Sequence, residues 1–235
     1  MNKKFKPFYI KVMNCTCSRS ECPQSRKDFK SGWAPPRGFN PCKSNTANIL
    51  VVGKNPGHPL EKEIPFYKGK RGENLLKAKE EWDSFKCETM LPSIKDRSLK
   101  YHKNLRRYLR YFLEPSNKLE TYKEYHTSYS LDHEKEISEH VAFTNLFKCS
   151  TKCEQERIKD ASFENCYEKY FDEEIKLIRP QCILALGKEV TKFLKSKQLE
   201  VPFISIRHPS YFYRKNDVLN ILRNKKTEFK NVLNP

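Results

Sequence analysis

Asn48-Ile-Leu-Val-Val-Gly53 is a short apolar run closed by a glycine, and Lys54-Asn-Pro-Gly57 follows it directly. A run this short, with no polar alternation, reads as a strand buried on both faces, the kind found in parallel sheets. Three further stretches read the same way: His140-Val-Ala-Phe-Thr-Asn145, Gln181-Cys-Ile-Leu-Ala-Leu-Gly187 and Val201 to Ile206. Between and after them the period changes to a helical one. Glu73 to Phe85 has helical spacing, and Leu99 to Leu113 sets Tyr, Leu and Phe on one side and Lys and Arg on the other. Phe163 to Ile178 is amphipathic and stops before Pro180, since the residue preceding a proline is pushed out of the helical region. Helices are also expected over 188–196 and 216–231. Strands alternating with helices predict an α/β fold, a three-layer α/β/α sandwich around a central, mainly parallel four-stranded sheet. One domain spanning 1–235 is expected, with a Cys-rich loop at 14–47 and a helical insertion over about 77–139.

Composition narrows the partners. The chain has 46 Lys and Arg against 29 Asp and Glu, a net charge of +17. So large an excess points to a polyanion, with nucleic acid first. No run of 18 apolar residues is present, so no transmembrane helix and no membrane partner are expected. Met1 to Met13 contains lysines but no clean apolar stretch, unlike a secretory signal, and a cytoplasmic monomer is expected. Nine cysteines, an odd number, in a chain without an export signal argue against a disulfide scaffold and raise metal or cluster ligation instead.

In parallel sheets ligands bind just beyond the carboxyl ends of the strands, and the unusual residues gather there. Gly53 to Gly57 offers two glycines that let backbone N–H groups approach a ligand closely, and Asn55 within it can hold a water. Asn145 ends the second strand with one donor and one acceptor, a match for a pyrimidine edge. Gly187 ends the third. Arg207-His-Pro-Ser210 follows the fourth, where His208 can donate to a developing anion.

Together these blocks resemble the uracil-DNA glycosylase superfamily, and most closely its iron–sulfur members, usually called family four. The resemblance rests on Ile49 to Gly57, on Pro65-Phe-Tyr-Lys-Gly69 with Gly72-Glu-Asn-Leu-Leu76, on Thr144-Asn-Leu-Phe-Lys-Cys149 continuing to Cys166 and Ile178 to Gly187, and on His208-Pro-Ser210 with Arg214. It implies base extrusion from the duplex. Phe66 is then expected to stack on the extruded base, Asn145 to read its Watson–Crick edge, and His208 to stabilise the departing pyrimidine anion. Gly53, Lys54 and Gly57 would border the base. Arg207, Ser210, Tyr211, Phe212, Tyr213 and Arg214 would engage DNA, one of the three aromatics serving as the wedge.

Three positions depart from the family pattern. Lys54 stands where the family usually has Glu. Asn55 looks like the mismatch-specific and single-strand-selective branches, and takes the water-holding role. Gly57 occupies the place of the Tyr that bars a 5-methyl group in strict uracil enzymes, so a larger 5-substituted pyrimidine could enter. The family's cluster implies two cysteines before the first strand and two after the Thr-Asn strand. Cys149 and Cys166 match the second pair. Cys17 and Cys22 are taken as the first, with Cys15, Cys153 and Cys42 as competitors, while Cys182 and Cys87 read as buried apolar residues. Four thiolates suit a 4Fe-4S cluster or tetrahedral zinc, and the resemblance favours iron–sulfur.

The expected activity is that of a monofunctional DNA glycosylase acting on uracil or another modified pyrimidine. A glycosylase for bulky, phage-type bases in a defence role is one alternative. A member that binds DNA with little turnover is the other.

Overall fold

The computed structural model describes residues 3–15, 39, 47–55, 62–70, 72–85, 100–113, 137, 139–149, 157–209 and 215–233. Four parallel strands form its centre: β1 (Ile49–Gly53), β2 (Val141–Asn145), β3 (Cys182–Leu186) and β4 (Phe203–Ile206), in the order β2-β1-β3-β4. Every residue of β1 and β3 is buried, as strands flanked by neighbours and covered on both faces must be.

Side-chain alternation divides the strands between two cores. Leu50, Val52, Ala142, Ile183 and Ala185 face one layer, while Ile49, Val51, Cys182, Leu184, Ile204 and Ile206 face the other. The first face is covered by α1 (Lys6–Met13), α2 (Ile64–Tyr67) and α3 (Gly72–Phe85). A long helical stretch completes it, α5 (Asp160–Cys166) passing through a π-helical turn (Tyr167–Phe171) into α6 (Asp172–Ile178), together with α7 (Lys188–Lys195). The second face is covered by α4 (Lys100–Leu113) and α8 (Lys215–Leu233), which meet through Phe112 and Phe229, ring centroids 5.5 Å apart. The expected three-layer α/β/α sandwich is therefore the observed fold.

Two elements depart from the sequence reading in their roles. Residues 6–13, expected only to lack the character of a signal, form α1 and bury Phe8, Tyr9, Val12 and Met13 in the first core. α4 lies within the stretch expected as an insertion, yet its Leu105, Tyr108, Leu109 and Phe112 are core, so this helix is one of the sandwich's own layers. Among the described residues no helix is long and apolar enough to cross a membrane. Most of the 14–47 loop and residues 114–136 lie outside the described residues.

Strand order places the site. From β1 the chain crosses to β2 on one side, and from β3 to β4 on the other. The carboxyl ends of β1 and β3 are thus the topological switch point, where the crevice of such a sheet opens.

Candidate active site

Gly53 and Asn145 are register partners at the ends of β1 and β2. A Cβ built on Gly53 would stand 2.3 Å from Asn145 Oδ1. The Asn145 carboxamide therefore lies directly over the Gly53 backbone, and only the absence of a side chain leaves room for it. The chain after β2 stays attached to the end of β1: Leu146 N–H donates to the Gly53 carbonyl at 3.0 Å, and Phe147 N–H to the Lys54 carbonyl at 3.0 Å. Two hydrogen bonds beyond the regular ladder thus fix the backbone that directly follows Asn145. Asn55, half-buried, follows at once.

Across the crevice, Gly187 closes β3 with φ +89°, a conformation glycine adopts freely. Its Cα faces His208, whose Cβ would be 3.5 Å from a Cβ placed there. On its other side the His208 imidazole lies against the Tyr101 ring of α4, centroids 5.0 Å apart and planes inclined by 31°. Burial pushes the His208 pKa below its ordinary 6.5, and the nearby Lys54 ammonium pushes it the same way. At neutral pH the group facing the crevice is consequently the neutral imidazole, a donor that carries no charge of its own. Lys54 is held by Glu189, on the first turn of α7, at 2.6 Å. The strand ends thus bring Gly53, Lys54, Asn55, Asn145 and His208 to one edge of the sheet, with exposed Arg207 beside them.

Phe66 belongs to a different packing group. It stands on α2 with its ring edge-on to Trp82 (5.4 Å) and tilted against Phe85 (5.8 Å), and Phe85 is exposed. Gly57 and the proposed DNA-engaging residues Ser210, Tyr211, Phe212, Tyr213 and Arg214 lie outside the described residues. One arginine of α4 is not available to phosphates: Arg106 is buried, its guanidinium over the Phe143 ring at 5.6 Å.

Of the four cysteines expected as ligands, Cys149 and Cys166 are described, and Cys17 and Cys22 lie outside the described residues, as do Cys42, Cys87 and Cys153. Cys166 is buried in the first core, and Cys149 and Cys15 pack against that same core. Among the described residues no group of three or more His, Cys, Asp or Glu is close enough to hold a metal. Thiols such as Cys149 and Cys166 are the donor type of a thiolate-bound group. Cys182 is of another kind. It is fully buried on the opposite face, donates to the Ile183 carbonyl at 3.6 Å, and burial pushes its thiol up to about 12.

Behind Asn145 lies a buried polar group that the sequence reading missed. Lys148 and Glu174 are both fully buried and paired at 2.5 Å. Thr144 Oγ1 donates to the same carboxylate at 2.7 Å, Lys148 also donates to Thr144 Oγ1, and Tyr9 of α1 donates to the other carboxylate oxygen at 2.9 Å. The signal was present. Glu174 sits on the apolar stripe Phe171–Ile175–Ile178 of its helix, where a charge requires a partner. Tyr101 was missed for a simpler reason, since nothing in the sequence ties α4 to the loop after β4.

A search of curated proteins finds no match to this chain. The family model of the uracil DNA glycosylase superfamily matches residues 39–234. That span takes in all four strands and every described crevice residue, and members of the family are generally glycosylases that act on DNA. The chain belongs to the uracil DNA glycosylase superfamily.

Proposed function

We propose that the protein is a monofunctional DNA glycosylase that extrudes uracil or another modified pyrimidine and hydrolyses its N-glycosidic bond, leaving an abasic site. The observation that carries this reading is the seating of the Asn145 carboxamide over Gly53. An amide held that closely by its backbone neighbour has a fixed donor and a fixed acceptor, which reading a pyrimidine edge requires. The bond to the base breaks with its electron pair on the pyrimidine, while a water oxygen bonds to C1′ of the sugar and its proton goes, directly or through solvent, to the departing pyrimidine anion. His208, neutral and fixed against Gly187, would donate to the pyrimidine oxygen where charge accumulates. Asn55 would orient the water. Phe66 would stack on the base once its ring turns from Trp82, and the 207–214 segment would meet DNA.

The cysteines belong to the same proposal. Cys149 and Cys166, with Cys17 and Cys22, would hold a 4Fe-4S cluster, with zinc as the alternative. Such a group would order the segment between α1 and β1 by tying it to the first core. Iron and acid-labile sulfide near four per chain would support the cluster. Stoichiometric zinc without sulfide would replace it.

Lys54 favours a second reading, a base bearing a bulky or anionic 5-substituent, since its ammonium reaches the crevice beside His208. One experiment separates the readings. Labelled duplexes carrying uracil or a 5-substituted pyrimidine are incubated with the protein and then treated with alkali. Strand scission only after alkali supports a monofunctional glycosylase, and the better substrate names the base. Tight binding without scission on any substrate would leave a DNA-binding member of the family.

A further inference from the structure

We propose that Tyr101 and Asn104, on α4, are positioning residues for His208, and that α4 therefore sets the rate of base release without touching the base. The inference rests on the role given to His208 above. Asn104 Nδ2 donates to the Pro209 carbonyl oxygen at 2.9 Å. The other end of the same carboxamide accepts from Arg107 Nη1 at 3.5 Å, which orients its nitrogen toward the loop. Three residues earlier, on the same face of the helix, Tyr101 lays its ring against the His208 imidazole at 5.0 Å.

Pro209 has no N–H to donate, so its carbonyl is the one main-chain hydrogen-bonding group that residue can offer. The proline also restricts His208 to extended conformations. Gly187 backs the His208 Cβ at the end of β3, while Tyr101 of α4 meets the imidazole. The stripe of α4 that carries Tyr101 continues through Leu105, Leu109 and Phe112, which anchor the helix in the second core, and Tyr101 itself packs against that core. A helix fixed to the sheet along that stripe and bonded to the loop at its first turn transfers the rigidity of the sheet to the imidazole. Burial also holds the Tyr101 phenol in its neutral form, so that its ring meets the imidazole without adding charge.

The test is a double-mutant cycle with His208→Ala. Asn104→Ala and Tyr101→Ala should each slow single-turnover base release about tenfold, the loss expected from a misplacement well under an ångström. Affinity for an uncleavable duplex should stay at the wild-type level, and Tyr101→Phe should recover most of the rate. In the His208→Ala background neither substitution should slow the reaction further. Equal fractional losses with and without His208 would overturn the proposal, as would wild-type rates in both single variants. An independent readout separates this inference from the glycosylase reading. The His208 ring carbon–proton NMR signal, assigned by its absence in His208→Ala, should shift in Tyr101→Ala and broaden in Asn104→Ala. A signal unchanged in both variants would sink the positioning role whatever the activity. Shifted signals in a protein that cleaves no substrate would sustain the positioning and refute the reaction.

Discussion

Replacing Gly53 by Ala tests the crevice with a single methyl group. Among the described residues the glycines with positive φ are Gly69, Gly72 and Gly187; Gly53 is not one of them, so its backbone accepts alanine without strain. The new Cβ would stand 2.3 Å from Asn145 Oδ1, and restoring an ordinary contact of 3.4 Å moves that oxygen by about 1.1 Å. The conflict is with the end of a side chain rather than with backbone, so the fold can yield by turning the carboxamide. That costs about 0.5–1.5 kcal/mol if the rotamer is displaced. Alanine gains about 0.5–1 kcal/mol over glycine in a strand. The two nearly cancel, and thermal stability should move by only a few degrees. Base release should not escape so lightly. A displacement of about 1 Å at a positioning group costs on the order of a hundredfold, equivalent to about 2.7 kcal/mol.

The assay is single-turnover base release from labelled duplex, alongside a thermal melt. Gly53→Ala should be about a hundredfold slow and close to wild type in stability. Added to Asn145→Ala, it should cost nothing more, because the carboxamide it displaces is already gone. A Gly53→Ala protein with the wild-type rate would refute the placement of Asn145. Additive losses in the double variant would show that the methyl acts elsewhere.

His208→Ala and Asn55→Ala should each slow base release by about 10²–10³ while duplex affinity stays nearly constant, as expected for groups aimed at charge that appears only in the transition state. Wild-type single-turnover rates in both would remove the reaction from this crevice. The pKa of His208 is lowered from 6.5 in the fold. Above that value both states are neutral, and below it the unfolded chain binds the proton first, so stability falls with pH from about 6.5 through the lower folded value. His208→Gln should flatten that acid limb of a urea-denaturation series, and Lys54→Met should raise the histidine's NMR titration midpoint toward 6.5. With a net charge of +17, duplex affinity should fall steeply as salt rises, and a binding isotherm insensitive to salt would count against a phosphate-contacting surface.

The strands were legible because each is a short run too brief for a helix, three of them closed by glycine or asparagine, and their order in the chain implied the parallel sheet. Gly53, Asn145 and His208 were legible as residues at strand ends. That the Asn145 amide sits on Gly53 was not, since register is a property of the paired strands and not of either alone. α1 escaped because eight residues mixing lysine with aromatics gain their helicity from packing, here from Tyr9 stacked on Phe39 at 4.2 Å. For α4 the amphipathic pattern announced a buried face but not what it would be buried against. A helix that covers the sheet and one that covers an insertion have the same period.

The buried Lys148–Glu174 pair shows how the unread parts bear on the site. Taking two charges out of water is costly, and an apolar pair of similar volume is often as stable or more so. Stability alone therefore gives little reason for an ion pair here. Its geometry gives another. Glu174 on α6 gathers Thr144 at the end of β2, Lys148 just beyond it and Tyr9 on α1, so three separate elements are fixed through one carboxylate. Asn145, the last residue of β2, lies between those two anchors, and Leu146 and Phe147 after it are bonded to Gly53 and Lys54. Apolar substitutes could fill the space, but they could not hold Thr144 and Lys148 in one register against rotation of the strand end. Tyr9 carries the point further. It lies before residue 39, where the family match begins, yet it completes the carboxylate's hydrogen bonding within the first core. The shared part of the fold supplies the crevice residues. A segment outside that match helps to fix the one expected to read the base.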